Sequence, residues 1–139
     1  MQESPQTLLF KYIREGRDDL VREILRAAPE LADAEYVEGV TALFLAVSCG
    51  YPEVVRALLD CGADPNGGTI RGWNPLMQAA CFNDYKSASL LLAGGAEADV
   101  VVADEAGKVC TTPLFMAVGN GNIELAELLL AAGARADVH

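Results

Sequence analysis

Apolar residues in this chain recur with helical spacing, and the whole pattern returns about every 33 residues. In the clearest copy, Leu43, Ala46 and Val47 fall at positions i, i+3 and i+4 and predict the apolar stripe of a short helix. A second stripe follows over Val54–Leu59. The pattern therefore predicts a unit of two short amphipathic helices separated by a turn.

Residues with strong preferences for helix ends bound these two helices. Thr41 is suited to the N-cap of the first helix, and Gly50 is suited to the left-handed position after its end. Pro52 fits the first turn of the second helix, where its missing N–H is not needed, and Gly62 ends that helix. Leu58 is expected deep between stacked helix pairs.

The unit occurs four times, beginning at offsets of 34, 33 and 38 residues. The first helices correspond to Thr7–Gly16, Thr41–Gly50, Asn74–Asn83 and Thr112–Gly121, and an apolar second helix follows each one. A pair of short helices cannot bury its apolar face alone, so it must stack on its neighbours. The chain is predicted to be an all-α solenoid.

The sequence of the unit resembles that of ankyrin repeat proteins. The family motif T-P-L-H-x-A appears as TALFLA at Thr41–Ala46, NPLMQA at Asn74–Ala79 and TPLFMA at Thr112–Ala117, and LLDCGADPN at Leu58–Asn66 matches the second motif. The resemblance implies an ankyrin-repeat solenoid of stacked antiparallel helix pairs with short β-hairpin-like fingers. It implies one domain over 1–139, with repeats at about 2–35, 36–68, 69–106 and 107–139.

Two features depart from the family pattern within the helices. The histidine of the motif is replaced by Phe44, Met77 and Phe115, which we interpret as packing residues, with an apolar binding strip as the alternative. The first repeat carries Lys11 and Arg14 where inner repeats carry apolar or small residues. This polar outer face is typical of the N-terminal cap that a solenoid needs.

The last repeat lacks a matching cap. Leu125, Leu128, Leu129 and Leu130 follow the pattern of an interior repeat. We expect either that the natural chain continues past His139 or that this end is covered, for instance by self-association.

The longest step between repeats places five extra residues within Val100–Thr111. Val100–Val102 has high β-propensity and Ala106–Lys108 can form a turn, which predicts an elongated finger. The finger either contacts a partner or is a tolerated loop extension.

Charge and composition exclude several classes of function. The net charge of −10 opposes binding to nucleic acid or anionic lipid, and no apolar run is long enough to span a membrane. The acidic charge favours a partner with a basic surface, or it serves solubility alone.

The inventory of reactive residues argues against catalysis and metal binding. The single histidine is His139, and Cys49, Cys61, Cys81 and Cys110 are 12, 20 and 29 residues apart without a C-x-x-C pair. We therefore predict no enzyme activity, no metal and no cofactor. Reduced thiols favour an intracellular, cytoplasmic protein.

The resemblance places partner binding on the concave face, formed by the finger tips and the outward side of the first helices. The positions that match are Val37, Glu38, Val40, Ser48, Cys49, Ile70, Arg71, Trp73, Cys81, Phe82, Glu105, Lys108 and Asn120.

Trp73 and Phe82 are the strongest candidate anchors among these residues. Trp73 is the only tryptophan and precedes a helix where the stacking core does not require it. Interface hot spots are enriched in Trp, Tyr and Arg, although Trp73 could instead shield the adjoining finger. Phe82 is expected to face outward, whereas Tyr85 is expected to be buried in the second helix.

We therefore predict a protein–protein interaction module that acts as a scaffold or adaptor. One alternative is a regulatory or substrate-targeting domain of a larger enzyme, and another is self-association through the uncapped last repeat. Fold alone does not identify the partner.

Overall fold

The computed structural model describes residues 3–37, 39–67, 73–99, 101–103, 106 and 109–134. Eight α-helices lie within these residues, together with a 3-10 helix at Pro29–Asp33. In chain order the α-helices are α1 Pro5–Glu15, α2 Asp18–Ala27, α3 Ala42–Cys49, α4 Pro52–Asp60, α5 Pro75–Cys81, α6 Tyr85–Ala93, α7 Pro113–Gly119 and α8 Ile123–Ala131.

The helices form four pairs that stack in sequence order. Within each pair the first helix packs on the second, as α1 does on α2 and α7 on α8. The first helices α1, α3, α5 and α7 pack side by side in one layer, and the second helices α2, α4, α6 and α8 form the other layer. The predicted solenoid of helix pairs is confirmed.

The first helices of the last three pairs begin with the same capping bond. The Oγ1 atom of Thr41 accepts from the N–H of Phe44 at 3.2 Å, and the Oγ1 atom of Thr112 accepts from that of Phe115 at 3.2 Å. Asn74 caps α5 in the same way through its Oδ1 atom, with an N···O distance of 2.9 Å. Each bond satisfies a backbone donor that the helix leaves unpaired.

The core lies between the two layers of helices. Leu58 is completely buried, as predicted, and so are Leu76, Leu91, Leu125 and Leu129. Burying a leucine side chain contributes roughly 1.5–3 kcal/mol. The stacking of pairs therefore provides the burial that one pair alone lacks.

Two antiparallel hairpins are described among the fingers. Strand β1, Glu35–Val37, pairs with β2, Val40–Thr41, and strand β3, Val102–Ala103, pairs with β4, Val109–Thr111. The second hairpin lies where the sequence has its five extra residues, and Gly107 and Lys108 of the predicted turn lie outside the described residues.

Polar side chains bond adjacent repeats to each other at the base of the fingers. The Oδ1 atom of Asp33 accepts from the N–H of Asp64 at 2.8 Å. One repeat later, the Oδ1 atom of Asn66 accepts from the N–H of Glu97 at 2.8 Å, and its Nδ2 donates to the carbonyl of Gly95 at 3.3 Å. These bonds fix the register of each helix pair on the next.

Tyr85 is exposed over 42% of its surface, so the prediction that it is buried is wrong. The reason is that Tyr85 is the first residue of α6 and corresponds to Ile123, which begins α8 and is 71% exposed. The inward positions of α6 come later, at Ser87, Ala88 and Leu91.

The packing interpretation holds for two of the three residues that replace the family histidine. Phe44 and Met77 are buried, but Phe115 is 42% exposed. The first two are covered because α3 and α5 each have a first helix packed on both sides. Within the described residues, α7 has such a neighbour on one side only.

Candidate protein-binding surface

The outward positions of α3, α5 and α7 form one row, which we call the first-helix face. It comprises Ser48 and Cys49, which are half-buried, and Cys81, Phe82 and Asn120, which are exposed. Because α3 packs on α5 and α5 packs on α7, these predicted positions lie side by side. The fold therefore brings together residues that are up to 72 positions apart in the sequence.

Trp73 is joined to this face by two consecutive hydrogen bonds. Its indole Nε1 donates to the Oε1 atom of Gln78 at 2.6 Å, and the Nε2 atom of Gln78 donates to the Oγ atom of Ser48 at 3.1 Å. The indole is half-buried, so its N–H is satisfied within the protein while part of the ring stays accessible. Trp73, two residues before the start of α5, is thus fixed in position relative to α3 and α5.

Phe82 faces outward as predicted, with 51% of its surface exposed. It follows the last residue of α5, and the next residue is held by a 2.6 Å bond from Asn122 Nδ2 to Asn83 Oδ1. Asn120 is bonded similarly, since its Nδ2 donates to the carbonyl of Ala80 at 3.1 Å. Phe82 is therefore an exposed aromatic ring on a segment that is fixed to the following repeat.

Charged residues are distributed unequally between the two layers of helices. Helices α3, α5 and α7 contain no Asp, Glu, Lys or Arg. The second helices α2, α4 and α8 carry acidic groups, and ion pairs join neighbouring second helices, with Arg22 Nη2 at 3.0 Å from Asp60 Oδ2 and Lys86 Nζ at 2.9 Å from Glu53 Oε1. The negative charge of the chain therefore does not lie on the central part of the first-helix face.

Local contacts change the acidity of two groups. The hydrogen bond from Lys86 lowers the pKa of Glu53, and the charge of Lys86 adds to this effect. Burial raises the pKa of the Cys49 thiol, and the nearby charge of Arg14 partly opposes that rise. Cys49, Cys61 and Cys81 are free thiols.

Gln78 belongs to this surface but is not among the contact positions that the sequence predicts. It is the polar member of a set of equivalent positions at which α3 has Leu45 and α7 has Met116. That polar substitution in an otherwise apolar position was the available signal. Its two partners, Trp73 and Ser48, are identified only by the fold.

Several predicted contact residues lie outside the described part of the chain. These are Glu38, Ile70, Arg71, Glu105 and Lys108. The backbone of Val37 pairs with that of Val40 in the first hairpin, and Val40 is half-buried.

The described residues contain no group of three or more His, Cys, Asp or Glu side chains arranged to hold a metal ion. None of their helices combines the length and apolarity needed to cross a bilayer.

Relatives of the chain carry the same repeats in different protein contexts. Inactive serine/threonine-protein kinase TEX14 of Bos taurus is 36% identical over 107 residues, which cover 76% of this chain and 7% of that protein. Protein phosphatase 1 regulatory subunit 27 of Mus musculus is 34% identical over 102 residues, covering 72% of this chain and 66% of that protein. Ankyrin repeat and SOCS box protein 3 of Homo sapiens is 36% identical over 121 residues, covering 63% of this chain and 22% of that protein.

The chain thus spans from 7% to 66% of the length of these relatives. A family model described as ankyrin repeats in three copies matches residues 9–104 and also residues 66–139. These similarities indicate a non-catalytic repeat domain of a kind that generally binds proteins. Together with the stacked helix pairs, they establish that the chain belongs to the ankyrin-repeat family.

Proposed function

We propose that the chain is a protein-interaction module that binds its partner on the first-helix face, as a scaffold or adaptor. The observation that carries this proposal is the exposed ring of Phe82, which lies beside exposed Cys81 at the end of α5, in the row formed by the uncharged helices α3, α5 and α7. Contiguous exposed apolar surface marks interaction sites, and interface hot spots are enriched in aromatic residues such as Trp73, which is bonded to this face.

The geometry of Trp73 supports the same face. Its indole N–H is already paired with Gln78, so a partner that covers the ring need not supply an acceptor for it. The bond from Gln78 to Ser48 restricts the motion of the group before any partner arrives. A contact residue that is ordered in the free protein loses less conformational entropy on binding.

The remaining predicted contacts complete this surface as part of the proposal. Val37, Val40, Ser48, Cys49 and Asn120 belong to it together with Glu38, Ile70, Arg71, Glu105 and Lys108. The partner with a basic surface, predicted from the net charge, would meet the predicted finger contacts Glu38 and Glu105, since α3, α5 and α7 are uncharged.

A regulatory or targeting role within a larger protein is the second candidate. It is favoured by the small share of TEX14 that the chain matches and by the printed name of the Mus musculus relative, a regulatory subunit of a phosphatase. Self-association is the third. It is favoured by an open cavity of about 170 Å³ on the last helix pair, lined mainly by apolar residues that include Val118, Ile123 and Leu130.

Site-specific photo-crosslinking tests which face binds. A benzophenone amino acid is placed at Phe82 in one variant and, as the matched control, at exposed Arg56 on α4 in another. Both are added to an extract of the source organism, and cross-linked proteins are identified by mass spectrometry. We expect proteins that cross-link at position 82, are absent at position 56 and are displaced by excess native chain.

Folding and anchor controls accompany this experiment. Each variant is first shown to keep its helical circular dichroism and cooperative melting. The same cross-link should weaken when Trp73 is replaced by Ala in the Phe82 probe variant. Equal capture at positions 56 and 82 would contradict binding on the first-helix face.

A further inference from the structure

An open groove of about 430 Å³ lies at the N-terminal end of the solenoid, between α1 and the first hairpin. We call it the N-terminal groove. It is lined by Ser4, Gln6, Thr7, Phe10, Arg14 and Tyr36.

Tyr36 holds Arg14 in this groove. The Nη1 atom of Arg14 donates to the Tyr36 hydroxyl at 2.8 Å, and the guanidinium carbon lies 5.3 Å from the centre of the Tyr36 ring. The ring is itself positioned by Phe10, with centroids 5.1 Å apart and planes inclined by 56°. The hydrogen bond is the main constraint, since 5.3 Å is near the outer limit of about 6 Å for a cation–π contact.

The guanidinium keeps donors that this bond does not use. A guanidinium has N–H groups on two further edges that can bind both oxygens of a carboxylate. Among the described residues, no carboxylate lies within 4.0 Å of Arg14, whereas Arg17, Arg22, Arg56 and Lys86 each have one. Arg14 is exposed and therefore available to a ligand.

The groove continues into the first-helix face. Arg14 occupies the same position in α1 that Ser48 occupies in α3 and Cys81 in α5. Helix α1 packs on α3, and the charge of Arg14 acts on the Cys49 thiol. A segment that lies along Phe82 and Ser48 would therefore reach Arg14 at its end.

We propose that the N-terminal groove receives the side-chain carboxylate of an Asp or Glu in the protein segment that binds along the first-helix face. Arg14 binds both carboxylate oxygens, and the Tyr36 ring contacts the neighbouring part of the segment. This inference rests on the proposed function of that face. The bound segment would then have a neutral or apolar part on the first-helix face and an acidic residue at the end that reaches Arg14.

Positioning by Tyr36 is what makes this contact effective. Exposed ion pairs usually contribute little because two long side chains must be ordered to form them. Here the arginine is already ordered by Tyr36, so less entropy is lost when the carboxylate binds. For a bidentate, charge-assisted contact we expect Arg14→Gln to weaken binding about ten-fold or more.

The test uses a phage-displayed library of random peptides, selected against the whole chain immobilised through its C-terminus. Parallel selections use Arg14→Gln, and the matched control Arg26→Gln, which changes an exposed arginine of α2. Each retained peptide is synthesised in two forms, one with its Asp or Glu and one with Asn or Gln in that place. The affinities of both forms are measured for the native chain and for the variants Arg14→Gln, Tyr36→Phe and Phe82→Ala. Circular dichroism confirms that each variant is folded.

The proposal predicts that Asp or Glu is enriched at one position of the peptides retained by the native chain and by Arg26→Gln, and that Arg14→Gln loses this enrichment. Replacing the acidic residue by its amide should weaken binding to the native chain but not to Arg14→Gln. Tyr36→Phe should give an intermediate loss, and added salt should weaken native binding more than binding to Arg14→Gln.

Other results overturn the proposal. Equal acidic content in the native and Arg14→Gln pools would do so, as would a failure to retain any peptide above the resin background. Peptides that depend on Phe82 but not on Arg14 would overturn the groove contact and leave the proposed function intact. Peptides whose binding depends on neither Arg14 nor Phe82 would contradict both the groove contact and the proposed binding on the first-helix face.

Discussion

Gly16 and Gly50 form a matched pair that separates two costs of adding a methyl group. Each follows the last residue of a first helix in the left-handed conformation, with φ of 73° at Gly16 and 78° at Gly50. A Cβ atom at Gly50 would meet nothing within 4 Å. At Gly16 it would lie 2.7 Å from Cε1 and 2.8 Å from Cδ1 of Tyr51.

We expect Gly50→Ala to destabilise the fold by about 1–2 kcal/mol, which is the conformational cost alone. Gly16→Ala carries the same cost and also displaces the Tyr51 ring. The ring is 38% exposed and can move toward solvent, so it loses packing rather than forcing the backbone apart. That loss adds roughly 1 kcal/mol.

Urea unfolding followed by far-UV circular dichroism measures both changes, because the free energy of unfolding is obtained from the midpoint and slope. A double-mutant cycle is completed by measuring Gly16→Ala and Gly50→Ala in the background of Tyr51→Ala. In that background Gly16→Ala should cost no more than Gly50→Ala. Equal costs of the two glycine variants in the native chain, or a Gly16→Ala cost unaffected by removing Tyr51, would refute the reasoning.

Three further predictions concern burial, ionisation and thiol reactivity. Leu58→Ala should lower the free energy of unfolding by about 2–5 kcal/mol, as measured in urea, because the side chain is fully buried. The Glu53 carboxyl should titrate below its usual pKa of 4.5 in an NMR titration, and Lys86→Met should raise that pKa. At a pH above the unfolded pKa of Glu53, its ionised carboxylate stabilises the fold. This contribution to stability is lost as the pH falls through the lower pKa of the folded state. Iodoacetamide should label exposed Cys81 faster than Cys49, whose burial raises the pKa of its thiol, as followed by mass spectrometry.

Each of these predictions has its own control. Leu130→Ala removes the same atoms from a side chain that is 48% exposed, and a cost as large as that of Leu58→Ala would contradict the burial argument. High salt should move the Glu53 pKa toward its usual value, and an unchanged pKa in Lys86→Met would exclude the assigned cause. Unfolding in urea should bring the two labelling rates together. A difference that persists there would show that the fold is not its source.

The repeat architecture could be predicted because its determinants are local. Thr41 and Gly50 bound α3 as their preferences indicate, and the spacing of apolar residues correctly placed Leu58 in the core. Tyr85 was assigned to the core wrongly because the burial of a helix residue depends on which residue begins the helix. If the first residue of the helix is misplaced by one or two positions, a side chain predicted to face the core lies instead at the exposed start of the helix.

The candidate site was predictable only in part. Its outward positions follow from the repeat, so Phe82 was correctly expected to be exposed. The bonds that join Trp73, Gln78 and Ser48 connect three segments, and their lengths depend on how α3 and α5 pack. The contact between Arg14 and Tyr36 likewise joins residues 22 positions apart and has no counterpart in the repeat pattern.

The lack of charged residues in α3, α5 and α7 has a consequence for how binding responds to ionic strength. Screening acts over about 8 Å at physiological salt and changes only interactions between charges. Contacts with α3, α5 and α7 involve no ionised side chain of those helices and should be nearly insensitive to salt. Any salt dependence of a complex on this face therefore reports on its ends, at Arg14 or on the fingers, rather than on its centre.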